Sequence, residues 1–149
     1  MALLMVFQLN CNPFTTLADS IRDRPLLATK FQTYKNELNL SLNVHPIYKS
    51  SIFIPDYQRQ SFSRVRLISH NLKIETGRWS RIPRERRVCP CDGTQLQTET
   101  HALTSCPLTH NIRVSYPMLD FSDLNRLFSE DSHIRQLCSY VHEALCVYS

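Results

Sequence analysis

Residues 89–106 read Cys-Pro-Cys-Asp-Gly-Thr-Gln-Leu-Gln-Thr-Glu-Thr-His-Ala-Leu-Thr-Ser-Cys, a C-x-C-x9-H-x4-C pattern. Three thiols and one imidazole are a common ligand set for structural zinc. Pro90 fixes φ near about −65° between the first two cysteines, and the Asp92-Gly93 pair supplies a chain reversal. The stretch therefore predicts a zinc-knuckle-like module whose metal ligands are Cys89, Cys91, His101 and Cys106.

Two alternatives remain open from the pattern alone. Cysteine is often buried as a small apolar residue with no other role, which would leave His101 at the surface. A single residue between the first two cysteines is also unusual, so His110 is the nearest spare ligand if Cys91 does not bind. A site closed by four protein ligands has no open position for water, so it would stabilise structure and not catalyse hydrolysis.

The overall composition is that of one globular domain of 149 residues, with 42% apolar and 20% charged residues. Only Gly77 and Gly93 are glycines, which disfavours glycine-rich phosphate loops. Six unevenly spaced cysteines favour reduced thiols over a secreted disulfide framework. No catalytic motif and no membrane-length apolar run is recognised. We therefore expect an intracellular protein, nuclear or cytoplasmic, that is neither an enzyme nor bound to a membrane.

Positive charge is concentrated between Arg59 and Arg87, where nine basic residues accompany two acidic ones. Arginine donates two parallel hydrogen bonds to a phosphate, and an exposed tryptophan can stack on an unpaired base. Trp79 could instead pack against the zinc module, which is the interpretation we favour. The residues predicted to bind nucleic acid are Arg64, Arg66, Lys73, Arg78, Trp79, Arg81, Arg84, Arg86 and Arg87.

Apolar periodicity predicts a mainly α fold, a small helical domain that embeds the zinc module. One helix is expected from Leu27 to Leu42 after Pro25, and another from Ser61 to a C-terminal cap at Gly77. Residues 47–54 are a connection or an edge strand. Thr98 is expected to cap a short helix, Ser122 to cap residues 124–128, and Asp131 to open a helix whose apolar stripe is Ile134, Leu137, Val141 and Leu145.

These patterns divide the chain into four segments. Residues 1–58 form an N-terminal helical segment, and residues 59–88 form a basic helix and loop. Residues 89–113 form the zinc-knuckle-like module, and residues 114–149 form C-terminal helices. Cys138 lies on the apolar side of the last helix, so we expect it to pack in the core.

The run from Arg64 to Cys106 contains Ser69-His70, then Ile74-Glu75-Thr76-Gly77-Arg78, then the cysteine–histidine pattern ending in Cys106-Pro107. It resembles the region after the polymerase domain in reverse transcriptases of LINE-like (non-LTR) retrotransposons. The resemblance implies a zinc-bearing tail that helps a polymerase hold template RNA or target DNA, with Cys89, Cys91, His101 and Cys106 as ligands. The single residue between the first cysteines departs from the C-x-x-C form of many relatives. No two aspartates adjoin, so polymerase activity is not expected.

The function predicted from the sequence is a zinc-binding tail fragment that binds RNA or single-stranded DNA without reading sequence. Its partner would be nucleic acid and a polymerase-bearing protein of the same element. The alternatives are a zinc-shaped protein-interaction module and a non-functional product of a decayed element.

Overall fold

The structure, a computed structural model, describes residues 45–49, 51–129 and 132–149. The helix expected from Leu27 to Leu42 lies outside the described residues, and so does Asp131. Within them the protein is mainly helical and has no strand, only an isolated antiparallel bridge between Val88 and Leu96. The predicted fold class is confirmed.

The described part of the chain contains five α-helices, in chain order α1 (Asp56–Arg66), α2 (Lys73–Trp79), α3 (His110–Val114), α4 (Leu124–Ser129) and α5 (Ile134–Cys146). Short 3-10 turns cover Pro46–Tyr48, Arg84–Arg86 and Pro107–Thr109, and a π-helical turn covers His101–Ser105. The stretch 47–54 was predicted as a connection or an edge strand, and its described residues contain no strand.

The core is built where α1 packs against α5. Phe62 of α1 is fully buried and stacks on Phe128 of α4, with ring centroids 5.2 Å apart. The predicted stripe of α5 is confirmed, since its members Ile134, Leu137, Val141 and Leu145 are all buried. Cys138 is fully buried beside them, as expected of a packing residue. Apolar burial between these helices is the main source of stability.

The single helix predicted from Ser61 to Gly77 is wrong, because α1 begins earlier, at Asp56, and ends at Arg66. Ile68 adopts φ +50°, its N–H donates to Val65 O, and the N–H of Ser69 donates to Arg64 O at 2.8 Å. These two bonds are those of a Schellman motif, which normally has glycine at the left-handed position. Ile68 is only 2% exposed, so burial of its side chain offsets a conformation that a β-branched residue rarely adopts.

Gly77 lies within α2 and does not cap a helix. Its Cα faces the side chain of Arg87, so that a Cβ added at Gly77 would lie 2.8 Å from Arg87 Cγ. Glycine is required here by close approach and not by backbone conformation.

Of the two predicted N-caps, one is confirmed. Thr98 Oγ1 accepts a hydrogen bond from the N–H of His101 at 3.1 Å. At α4, however, Asp123 Oδ1 accepts the N–H of Arg126 at 2.7 Å, so the cap is Asp123 and not Ser122. In both cases the capping side chain accepts the backbone N–H of the residue three positions later, as is usual for an N-cap.

Candidate metal centre

A tight hairpin at residues 87–97 positions the first two cysteines. The N–H of Cys89 donates to Gln95 O at 2.7 Å, and the N–H of Gly93 donates back to Cys89 O at 3.0 Å. Asp92 Oδ1 accepts the N–H groups of Thr94 and Gln95. Those two backbone donors lower the pKa of Asp92 to about 2. Gly93 has φ +69°, a conformation that glycine adopts without strain.

The π-helical turn His101–Ser105 positions the other two candidate ligands. It is closed by a hydrogen bond from the N–H of Cys106 to His101 O at 2.8 Å, an i to i+5 contact. In an α-helix, residues five apart point in different directions, whereas the wider π turn brings them to one side. Cys106 itself then leaves the helix in an extended conformation, at φ −61° and ψ 133°. The local geometry therefore suits the H-x4-C spacing.

The four side chains converge on one point. Cys89 Sγ and Cys106 Sγ are 3.6 Å apart, and Cys91 Sγ lies 3.3 Å from His101 Nε2. One ligand atom from each of the four residues lies within 4.8 Å of the other three. A disulfide would place two sulfurs about 2.0 Å apart, and all three cysteines are free thiols. The arrangement is compatible with binding one metal ion.

The cluster is shielded from water. Cys89, His101 and Cys106 are buried, and Cys91 is half-buried. Desolvation, reinforced by the neighbouring thiols, raises the pKa of Cys91 to about 12. Desolvation likewise lowers the pKa of His101, which keeps its imidazole neutral and able to donate a lone pair.

Cys106 behaves differently from Cys91. Burial alone would raise its pKa, but the nearby side chain of Tyr148 and the backbone of Leu108 outweigh burial and lower it. Arg113 lies close by, since its Nη1 donates to Cys106 O at 2.9 Å and to Thr109 Oγ1 at 2.7 Å. Donors that stabilise a thiolate also strengthen a metal site around it.

Cys91, and not His110, completes the cluster. His110 begins α3 and is exposed, outside the group of ligand atoms that converge. Of the remaining cysteines in the described part of the chain, Cys138 is in the core and Cys146 is exposed on α5. The alternative interpretation placed His101 at the surface, but His101 is buried beside Cys89 and Cys106.

The module that carries the cluster also holds the start of α2. Gln97 Oε1 accepts the N–H of Lys73, the first residue of α2, at 2.6 Å, and Gln97 Nε2 lies 3.9 Å from Cys89 Sγ. His70 Nε2 contacts Glu99 Oε1 at 2.7 Å in a buried pair. His70 Nδ1 accepts the N–H of Leu72, so the ring donates to Glu99 through Nε2.

That contact has an electrostatic effect on the carboxylate. Burial of Glu99 opposes ionisation, but the hydrogen bond and charge interaction with His70 outweigh it and lower the pKa of Glu99. The sequence analysis missed Gln97, Glu99 and Arg113. No pattern in the sequence marked them, because glutamine and glutamate are mostly exposed and the burial of Gln97 and Glu99 arises only in the fold.

The nine residues predicted to bind nucleic acid do not share one environment. Arg66 is 7% exposed, and its guanidinium carbon lies over the ring of Phe62, 6.0 Å from the centroid. Arg87 is half-buried, and it donates to the backbone oxygens of Ile74 and Ile82. Both side chains therefore make contacts within the fold, and their role in binding nucleic acid stays a prediction.

The other predicted residues keep solvent access. Arg78 is half-buried and pairs with Glu75 at 3.5 Å. Trp79 is 62% exposed, so its ring is not packed away against the module as the favoured interpretation had it. We call the exposed residues of α2 and of the turn after it the basic surface: Lys73, Trp79, Arg81, Arg84 and Arg86. Arg64 is exposed on α1.

No protein family, no curated protein and no solved structure matches the chain. The resemblance to LINE-like reverse transcriptase tails therefore stays a prediction. In the described residues no helix has the length and apolar character needed to cross a membrane.

Proposed function

We propose that the cluster is a structural zinc site and that the basic surface binds RNA or single-stranded DNA without reading its sequence. The observation that carries the proposal is the convergence of three sulfurs and an imidazole nitrogen beside exposed cations. The four-segment division and the LINE-like resemblance belong to the same proposal, in which the chain is a tail without polymerase activity that works beside a polymerase-bearing protein.

The spacing of the ligand atoms supports zinc. Zinc binds thiolates at about 2.3 Å and imidazole at about 2.0 Å, usually as a tetrahedron. A tetrahedron of that size places two sulfurs about 3.8 Å apart and a sulfur and a nitrogen about 3.5 Å apart. The contacts of 3.6 Å between sulfurs and 3.3 Å between Cys91 and His101 are close to these values.

Thiolate-rich sites favour zinc over hard cations, because magnesium and calcium prefer oxygen ligands. With four protein ligands the ion would have no position for water and would act by holding the hairpin to the π-helical turn. Cys89, Cys91, His101 and Cys106 would hold it. The module is small, so metal binding would be coupled to its folding.

The charge and exposure of the basic surface support nucleic-acid binding. Lys73, Arg81, Arg84 and Arg86 are exposed, and Glu85 is the acidic residue among them. Contacts of this kind bind phosphates without base recognition. The exposed ring of Trp79 favours a single strand, since only unpaired bases offer a face for stacking.

Metal analysis of the purified protein tests the zinc site. We expect one zinc per chain, and loss of zinc from Cys106→Ser. The matched control is Cys146→Ser, which removes an exposed thiol outside the cluster and should keep the metal. Equal zinc content in both variants, or none in the native protein, would contradict the site.

Charge reversal tests the basic surface. Arg84→Glu with Arg86→Glu is expected to weaken binding of a single-stranded oligonucleotide by at least about tenfold and to reduce the dependence of affinity on salt. Arg126→Glu with Arg135→Glu changes the net charge equally at exposed sites elsewhere and serves as the control. If both pairs weaken binding alike, the surface has no special role. If neither binds less, the protein-interaction alternative is favoured.

A further inference from the structure

A second group of side chains with reactive chemistry lies where α1 packs against α5, and none of its members belongs to the metal centre. The group consists of Cys146 and His142 of α5 and Ser61 of α1. Cys146 is exposed, whereas the other cysteines in the described part of the chain are buried or half-buried. Among the described thiols, Cys146 is therefore the most accessible to a reagent in solution.

The thiol of Cys146 faces an imidazole one helical turn earlier. Cys146 Sγ lies 3.7 Å from His142 Nε2, close enough for a hydrogen bond in which the thiol donates. Residues four apart on an α-helix lie one above the other on the same face, so the helix holds the two side chains together. The ring of His142 is also in edge contact with the ring of Tyr57 of α1, with centroids 4.7 Å apart. Contacts from two helices thus restrict the position of the imidazole.

A hydroxyl group of α1 determines which nitrogen of His142 carries the hydrogen. Ser61 Oγ donates its single hydrogen to Tyr57 O at 3.0 Å, and it lies 3.0 Å from His142 Nδ1. Because the hydroxyl hydrogen is already used, Ser61 Oγ accepts the hydrogen of Nδ1–H. In a neutral imidazole the other nitrogen then has a lone pair, so His142 Nε2 is an acceptor that faces the thiol. This is a thiol beside a base whose tautomer is set by a third group.

We infer that Cys146 is a site of covalent modification by a low-molecular-weight disulfide, with His142 as the base that accepts the thiol proton and Ser61 as its positioning residue. The thiolate is the form of cysteine that attacks a disulfide, and a base beside the sulfur can generate it at neutral pH. The exposed position of Cys146 at the end of α5 gives a small disulfide access to the sulfur. The inference does not depend on zinc or on the basic surface.

The reaction is thiol–disulfide exchange. The proton of Cys146 Sγ moves to His142 Nε2, and the thiolate sulfur attacks one sulfur of the incoming disulfide. A new S–S bond to Cys146 forms while the S–S bond of the reagent breaks, and the departing thiolate takes the proton from His142. One thiol and one disulfide are consumed and one of each is formed, so no further oxidant is needed. The Nδ1–H of His142 keeps its hydrogen bond to Ser61 throughout.

Reaction of the full-length protein with oxidised glutathione at pH 7 tests the site, with modification of each cysteine quantified by peptide mass spectrometry. We expect Cys146 to react at least about fivefold faster in the native protein than in His142→Gln protein. Ser61→Ala should slow the reaction too, whereas Ser61→Thr keeps a hydroxyl and should retain most of the native rate. The difference between native and His142→Gln protein should disappear at about pH 10, where an ordinary cysteine thiol ionises without a neighbouring base.

The matched control is His133→Gln, which removes an imidazole at the opposite end of α5 and should leave the rate unchanged. Buried Cys138 of the same helix is the internal reference and should stay unmodified in folded protein. Equal rates at pH 7 in native and folded His142→Gln protein would overturn the inference, and so would a rate at Cys146 no higher than in urea-unfolded protein. Equal slowing by His133→Gln would overturn the assignment to His142. Ser61→Thr protein as slow as Ser61→Ala protein would overturn the positioning role of the hydroxyl.

Discussion

Gly77 and Arg87 are in contact where α2 meets the turn that follows it. Arg87 passes over Gly77 while its Nε donates to Ile82 O at 2.9 Å and its Nη1 donates to Ile74 O at 3.0 Å. Both ends of the guanidinium are thus anchored, and the middle of the side chain cannot move freely. The two residues explain why a glycine interrupts an otherwise ordinary helix.

Gly77→Ala is expected to destabilise the protein by about 1–2 kcal/mol, although alanine normally favours a helix. The added Cβ would lie 2.8 and 2.9 Å from Arg87 Cγ and Cδ. Chemical denaturation measures the change. In an Arg87→Ala background the same substitution should be neutral or stabilising by up to about 1 kcal/mol. An equal loss in both backgrounds would show that the contact is not the cause.

At the scale of elements, the module that carries the cluster contacts α2 through side-chain hydrogen bonds, without a shared sheet or a helix pair. Gln97 caps the first residue of α2, and Glu99 holds His70 just before it. Helix α2 therefore begins where the module supports it. Organisation of the basic surface depends on the module that carries the cluster.

Gln97→Ala is expected to destabilise the region by about 1 kcal/mol, because the N–H of Lys73 loses its acceptor. Amide hydrogen exchange at α2 should increase along with it. Gln95→Ala is the matched control, since the side chain of Gln95 is exposed and only its backbone is used. Unchanged exchange at α2 in Gln97→Ala would show that the cap does not support the helix.

At the scale of the whole molecule, α1 packs against α5, Phe128 of α4 stacks on Phe62 of α1, and one continuous core extends from Ile47 to Leu145. Phe62→Ala is expected to destabilise it by about 3–5 kcal/mol, because the buried ring leaves a cavity beside Phe128. Phe53→Ala is the control, as that ring is 77% exposed and should change stability little. Thermal and denaturant unfolding of both variants decides the comparison, and similar losses would contradict this view of the core.

The response to pH should separate metal binding from carboxylate effects. Protons compete with zinc for the thiols and the imidazole, so zinc-dependent stability is expected to fall as the pH drops from about 7 to about 5. Unfolding measurements with and without a chelator give the zinc-dependent part of the stability at each pH. The chelated protein should not lose stability between about pH 7 and about pH 5.

Asp92 titrates in a different window from the zinc ligands. The pKa of Asp92 is lowered to about 2 in the folded protein. Its contribution to the free energy of unfolding is therefore fully present above the unfolded pKa of about 3.9, and it is lost as the pH falls from there through about 2. Asp92→Asn should alter the stability of the protein only in this acidic range of pH.

For the zinc site, a zinc-dependent stability that stays constant down to about pH 5 would contradict binding by thiolates.

Several features followed from the chain alone because they are local. The cysteines and the histidine, the reversal at Asp92 and Gly93, the cap at Thr98 and the apolar stripe of α5 each depend on neighbours a few residues away. Periodicity and turn chemistry therefore predicted the helical class and the four residues of the cluster. Local rules failed at Ile68, where burial overrode backbone preference and ended α1 early.

What sequence by itself determined here is which residues have metal-ligand chemistry, where charge is concentrated and which stripe of α5 is apolar. Only tertiary structure decided that Cys91 joins the cluster and His110 does not, that Arg66 and Arg87 are used inside the fold, and that Trp79 faces solvent. The reason is physical: spacing and composition act along the chain, whereas burial and hydrogen-bond satisfaction depend on segments that meet only after folding.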